Sequence, residues 1–187
     1  MTTTKEQGIW DLDEVYNKID QGSIWTYDAS GFTPTDSKTL FGWFGNWGAS
    51  GTNKGPAYYS SPVQLGTSEK WKDIGIGKEA GPVAAIKTDG SMWTWGNNAK
   101  GQLGQNNTTT YSSPKQIPGT TWNIISSSYE GCYGIKTDGT LWSWGYNLYG
   151  AMGINSRVNH SSPVQIPGFS NPVSFATGRR NWVIKLG

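Results

Sequence analysis

Two closely matched phrases of twelve residues constrain this chain more than any other feature. Ala85-Ile86-Lys87-Thr88-Asp89-Gly90-Ser91-Met92-Trp93-Thr94-Trp95-Gly96 returns 49 residues later as Gly134-Ile135-Lys136-Thr137-Asp138-Gly139-Thr140-Leu141-Trp142-Ser143-Trp144-Gly145. Ile184-Lys185 repeats the opening of the phrase another 49 residues on, and Leu40-Phe41-Gly42-Trp43 repeats its close near the start. The prolines keep the register, because Trp43 to Pro62, Trp95 to Pro114 and Trp144 to Pro163 are each 19 residues apart. A period of this size marks stacked supersecondary units rather than one continuous core.

Each unit reads as β-structure. Asp89-Gly90 and Asp138-Gly139 sit between alternating apolar flanks, a strong hairpin signal because glycine adopts φ > 0 at little steric cost. After the turn, Trp93 with Trp95 and Trp142 with Trp144 are two apart, so each pair faces one side of its strand. Thr94, Ser143 and Gly42 stand between the rings and are small, leaving room for a neighbouring sheet. Ser61-Pro62, Ser113-Pro114 and Ser162-Pro163 open a further strand, and proline places it at an edge. Another strand carries Trp71 and Ile74, Trp122 and Ile124, or Val173 and Phe175. Four short strands per unit is the content of a propeller blade. The expectation is an all-β body of three β-propeller-type blades of about 49 residues over 40–187 (units about 40–90, 91–139 and 140–187), preceded by an arm over 1–39.

The pattern Ile-Lys-Thr-Asp-Gly-x-Leu-Trp-x-Trp-Gly, followed by Gly101-Gln102-Leu103-Gly104 and Ser-x-Pro-x-x-Ile, resembles the repeat of the regulator of chromosome condensation family, in its bacterial and phage wording. The resemblance covers residues 40–187 and implies four-stranded blades set around an axis. The Gly-Gln-Leu-Gly turn weakens to Gly150-Ala151-Met152-Gly153 in the third unit and is missing from the first.

The arm differs in character. It holds seven acidic residues and three lysines, a net of −4, against +6 for the repeats. Asp11-Leu12-Asp13-Glu14 reads as a capping box with Asp11 as N-cap. Trp10 can staple against Val15, and Leu12, Val15, Tyr16 and Ile19 form one apolar stripe at helical spacing before a stop at Gly22. A helix this short does not hold itself in water, so the stripe is expected to dock on a partner surface. The phrase from Gly8 to Tyr16, with Gly22 to Trp25 after it, resembles N-termini of structural proteins of marine tailed phages. That resemblance implies attachment to a virion, with the repeats displayed outward.

Candidates for catalysis are few. His160 is the single histidine and Cys132 the single cysteine, too few for the three or four ligands of a zinc site. Asp89 and Asp138 read as turn formers, and Lys87, Lys136 and Lys185 recur as elements of the repeat. The glycine-rich loops lack the Gly-Lys-Ser/Thr ending of a phosphate loop. No catalytic residue, metal ligand or cofactor is therefore expected. The tryptophans read mainly as core, with Trp25, Trp47 and Trp182 freer; ligand-loop candidates are Trp47, Asn106, Asn107, Tyr111, Tyr146 and Tyr149. A net charge of +2 with no basic cluster beyond Arg179-Arg180 disfavours nucleic acid. No apolar run reaches the roughly twenty residues of a membrane span, and no secretory signal is seen.

These readings favour a non-enzymatic structural protein, namely a virion decoration, fibre or tail-associated component that self-associates, meets other virion proteins and reaches a host surface glycan or receptor. A lectin-like or inhibitor-like binding module is the alternative, cytoplasmic outside the virion setting. Guanine-nucleotide exchange, the activity of the family's eukaryotic namesake, needs a larger ring. Leu40, Phe41 and Trp43 on one terminal strand, and Trp182, Val183 and Ile184 on the other, are expected to pair between subunits. Two chains would then supply six blades, inside the usual four to eight.

Overall fold

The structure is a computed structural model, and it describes residues 38–44, 51, 59–66, 70–77, 81–169, 172–177 and 181–185. The body from Asp36 to Gly187 is one compact unit. The expected arm helix, with Trp10, Leu12, Val15, Tyr16 and Ile19, lies outside the described residues, as does Trp47.

Twelve strands and no helix make up the described residues. β3 (Trp71–Ile76), β4 (Pro82–Lys87), β5 (Met92–Gly96) and β6 (Tyr111–Ile117) form one antiparallel four-stranded sheet in that order. β7 (Trp122–Ser127), β8 (Gly131–Lys136), β9 (Leu141–Gly145) and β10 (His160–Gln165) form a second, built alike. β1 (Leu40–Phe44) pairs with β2 (Tyr59–Leu65), and β11 (Pro172–Ala176) pairs with β12 (Trp182–Lys185). By repeat position β1–β2 is the second half of a blade and β11–β12 the first half. The described residues thus hold two complete blades and two half-blades. Each complete blade is centred on an Asp-Gly hairpin, so it runs from the middle of one sequence unit to the middle of the next. Pro114 and Pro163 lie on the outer strands β6 and β10 as expected, but at the fourth residue of each rather than at its opening; at an edge a missing N–H costs no ladder bond.

The hairpin differs in detail from the simplest reading of Asp-Gly. Gly90 and Gly139 have φ of +78° and +75°, whereas among the described residues only Asn106 and Asn155 are non-glycine residues with positive φ. Asp89 therefore cannot occupy the first corner of a two-residue turn that needs positive φ twice. Gly90 N–H donates to Lys87 O at 3.0 Å and Lys87 N–H donates to Ser91 O at 2.9 Å. This is the three-residue loop whose glycine forms a bulge.

Packing between blades rests on inward tryptophans. Trp122 and Trp144 are buried in the largest core cluster with Ala84, Ile86, Met92, Ile117, Ile125 and Cys132, so one cluster joins both blades. Trp71 and Trp95 anchor a second cluster under Leu40 and Leu65. Ile135, Leu141 and Ile166 anchor a third, against which Val183 packs. A backbone bond joins the two complete blades at their rim, Trp122 N–H to Gly90 O at 3.1 Å, while Thr137 N–H to Thr121 O at 2.7 Å extends the β7–β8 pairing within the second blade. Thr177 joins β11 to the second blade through the Ser126 hydroxyl at 2.6 Å.

Candidate functional site

The turn end of each complete blade carries the same brace. Asp89 Oδ1 accepts the Ser91 N–H at 2.8 Å, and Ser91 Oγ accepts Trp93 Nε1–H at 3.0 Å. The Lys87 ammonium lies 4.1 Å from the Trp93 ring centre and 5.2 Å from that of Trp71. In the second blade Asp138 Oδ1 accepts the Thr140 hydroxyl at 2.6 Å, and Thr140 Oγ1 accepts Trp142 Nε1–H at 2.7 Å. Lys136 stands 4.0 Å from the Trp142 ring centre and 5.0 Å from Trp122. Both carboxyl groups are held below the ordinary carboxylate range, first by the Ser91 and Thr140 side chains and then by the backbone N–H of the same residues. A cation over an indole face contributes about 0.5–1 kcal/mol at exposed sites. The acids and lysines of the repeated phrase thus tie the hairpin to its own strand.

The opposite end carries the long loops, and buried asparagines close them. Asn98 Oδ1 accepts Leu103 N–H at 2.9 Å while Nδ2 donates to Asn107 O at 3.1 Å and Thr109 O at 2.8 Å. Asn147 repeats the clamp, accepting Met152 N–H at 2.9 Å and donating to Ser156 O at 2.9 Å and Val158 O at 3.1 Å. Several sequence candidates fall within this framework. Asn106 N–H donates to Ser161 O at 2.6 Å, joining the first blade's loop to the second blade's edge. Asn107 Nδ2 donates to Gln105 O at 3.1 Å and to the Tyr111 hydroxyl at 3.2 Å. The Tyr111 ring lies 5.5 Å from the Lys115 ammonium.

Tyr146 and Tyr149 are brought together, their rings 6.3 Å apart and nearly perpendicular at 84°. Tyr146 N–H donates to Glu130 O at 2.7 Å, which draws the β7–β8 turn to the β9–β10 loop. The Tyr146 hydroxyl is pushed above the usual tyrosine value, first by desolvation and then by Tyr149, Glu130 and Tyr129. Around this pair Tyr129 and Leu148 are exposed, and Tyr149 is 76% exposed. Tyr129 and Leu148 were not among the sequence candidates, although a comparison of repeat positions contains the signal. The first blade has Asn97, Ala99 and Lys100 where the second has Tyr146, Leu148 and Tyr149, and Ala80 where the second has Tyr129. Both loops keep the same asparagine clamp, so the fold does not require these aromatics.

Cys132 and Tyr133 are shielded by burial. Burial pushes the Cys132 thiol up to about 12, and the Ser127 hydroxyl lies 3.2 Å from its sulfur. The Tyr133 hydroxyl is likewise raised to about 12, mainly by burial, while it donates to Ala151 O at 3.1 Å and accepts Asn181 Nδ2–H at 2.8 Å. His160 opens β10, with its backbone opposite Gly145. Among the described residues no three His, Cys, Asp or Glu side chains gather to hold a metal, and no helix is long and apolar enough to cross a membrane.

Four-stranded antiparallel sheets in series, joined at their rims and repeating one hairpin brace, define a propeller-type repeat protein. The family model of the Regulator of chromosome condensation (RCC1) repeat matches residues 89–128 and 138–183. The chain carries RCC1 repeats over these two segments. It is 44% identical over 50 residues to Protein RCC2 homolog of Danio rerio, covering 25% of this chain and 10% of that protein. It is 42% identical over 43 residues to Protein RCC2 of Homo sapiens, covering 23% and 8% respectively. The chain thus spans about a tenth of the length of the curated relatives it matches. Human WBSCR16 superposes with a TM-score of 0.70 at 21% identity, over 82% of this chain and 41% of its own. Prp20p of Saccharomyces cerevisiae superposes with a TM-score of 0.62 at 15% identity, over 70% of this chain and 34% of its own. These likenesses establish the propeller-type fold.

Proposed function

We propose that this protein is a non-catalytic interaction module, which binds a partner protein through the aromatic cluster of its second complete blade. The observation that carries the reading is the non-repeating set Tyr129, Tyr146, Leu148 and Tyr149 on a loop framework that otherwise repeats. Exposed tyrosines are enriched at protein interfaces, where they supply large rigid contacts at small entropic cost. Structures of this fold include Prp20p, described by its binding to Gsp1p and histones, and yeast RCC1 bound to Kap60. These precedents support a protein partner over a glycan.

The test compares the wild-type chain with a Leu148→Ser/Tyr149→Ser variant in affinity capture from the native source, beside a thermal melt of each. A protein retained by the wild type and lost by an equally stable variant is the expected result. Equal recovery by both chains refutes the reading, and loss of binding only on a glycan array replaces it with the lectin-like one. The narrower reading, a virion component anchored through residues 1–39, rests on the phrase Gly8 to Tyr16. It requires the full chain to copurify with phage particles and a chain lacking residues 1–39 to be released from them.

A further inference from the structure

The aromatic cluster of the second complete blade departs from the first blade in charge as well as in apolar character. Tyr149 stands where the first blade has Lys100, and Glu130 where it has Gly81. The second blade thus has a ring in place of a cation and a carboxylate in place of a neutral residue. Tyr146 and Tyr149 set two rings 6.3 Å apart and nearly perpendicular, at 84°. Glu130 is tied to this corner, since its carbonyl accepts the Tyr146 N–H at 2.7 Å. The Tyr146 hydroxyl is raised by desolvation first and then by Tyr149, Glu130 and Tyr129. The carboxylate and the third ring therefore lie within electrostatic reach of the same hydroxyl.

Elsewhere the chain fills such corners with its own lysines. Lys136 lies 4.0 Å from the Trp142 ring centre and 5.0 Å from that of Trp122, and Lys87 repeats the contact on Trp93 and Trp71. Among the described residues no lysine or arginine lies over Tyr146 or Tyr149, Arg157 of the same loop included, and none pairs with the Glu130 carboxylate. We infer that this corner takes an arginine side chain of the partner protein, stacked on the tyrosine rings with its guanidinium turned to Glu130; the inference rests on the protein-binding reading above. A cation is drawn to the negative face of an aromatic ring. The guanidinium is planar and more weakly hydrated than an ammonium, so one group both stacks on a ring and donates two parallel N–H bonds to a carboxylate. A trimethylated lysine would meet the rings but has no N–H to offer Glu130.

The test is a magnetic-resonance titration of the full chain, with isotope-labelled tyrosine rings, against a capped arginine peptide flanked by glycines. The Tyr146 and Tyr149 signals are expected to shift saturably in the millimolar range. The matching citrulline peptide, of equal shape without the charge, is expected to bind several-fold more weakly. Glu130→Gln is expected to weaken the arginine peptide several-fold with an unchanged melt, because Glu130 serves the fold through its backbone, its N–H donating to Ser128 Oγ at 3.2 Å. No shift, equal binding of the arginine and citrulline peptides, or tighter binding of a trimethyllysine peptide overturns the inference. Capture of the partner protein separates the two readings. A partner kept by Glu130→Gln but lost by Leu148→Ser/Tyr149→Ser removes the arginine and leaves the protein-binding reading standing, whereas equal recovery by all three chains removes both.

Discussion

Two glycines with the same backbone strain separate the cost of a turn from the cost of blade docking. Gly90 has φ +78° and Gly168 φ +79°, so alanine at either meets the same left-handed penalty, about 1–2 kcal/mol. A Cβ on Gly168 would have nothing within 4 Å, whereas one on Gly90 would lie 2.0 Å from the Thr120 carbonyl oxygen. That oxygen is backbone and cannot swing aside as a side-chain tip can. The linker from Gly119 to Thr121 must move, at a further cost of about 1–3 kcal/mol typical of overpacking. The displacement also strains the bond from Trp122 N–H to Gly90 O, 3.1 Å long and worth about 1 kcal/mol. Gly168→Ala is therefore expected to cost about 1–2 kcal/mol and Gly90→Ala about 4 kcal/mol. The assay is urea unfolding followed by tryptophan fluorescence, reading the midpoint at unchanged slope. Equal midpoint shifts for the two variants would refute the claim that the hairpin is held by close approach to the next blade's linker.

Trp144, fully buried between the two blades, is expected to cost about 3–5 kcal/mol when replaced by Ala. Trp142→Ala, at a half-buried ring under Lys136, is expected to cost about 1–2 kcal/mol; calorimetric melts of both variants give the order, and a reversed order contradicts the core assignment. The lowered carboxyl values of Asp89 and Asp138 set the sign of the acid response. A depressed folded value adds stability above the unfolded carboxylate value of about 3.9, and the gain is lost as pH falls through the folded value. Asp89→Asn/Asp138→Asn should flatten the fall of the urea midpoint as the pH drops below about 4, and an undiminished fall removes the Ser91 and Thr140 bonds from that role.

The period of 49 residues, the strand faces and the proline edges were legible because they are local. A turn glycine, an alternating Trp-x-Trp and a proline that cannot donate each constrain only the few residues beside them. Their recurrence at one spacing made the blade and its family recognisable before any contact was known. The phase of the blade within the repeat was not legible, since a sheet's edge is where pairing stops, and pairing joins residues far apart in sequence. The same holds for side chains of one type with different fates. Asn107 reads as a polar loop residue, yet its side chain is taken up by Gln105 and Tyr111, while Asn98 and Asn147 serve as buried clamps. Trp93 and Trp95 share a strand face, but only Trp95 is buried, because neighbouring strands close over one ring and a lysine over the other. Tyr129 and Tyr146 meet at one end of a blade because an antiparallel sheet returns the β7–β8 turn and the β9–β10 loop to the same side. That meeting is set by strand direction across the sheet, which no window of sequence contains.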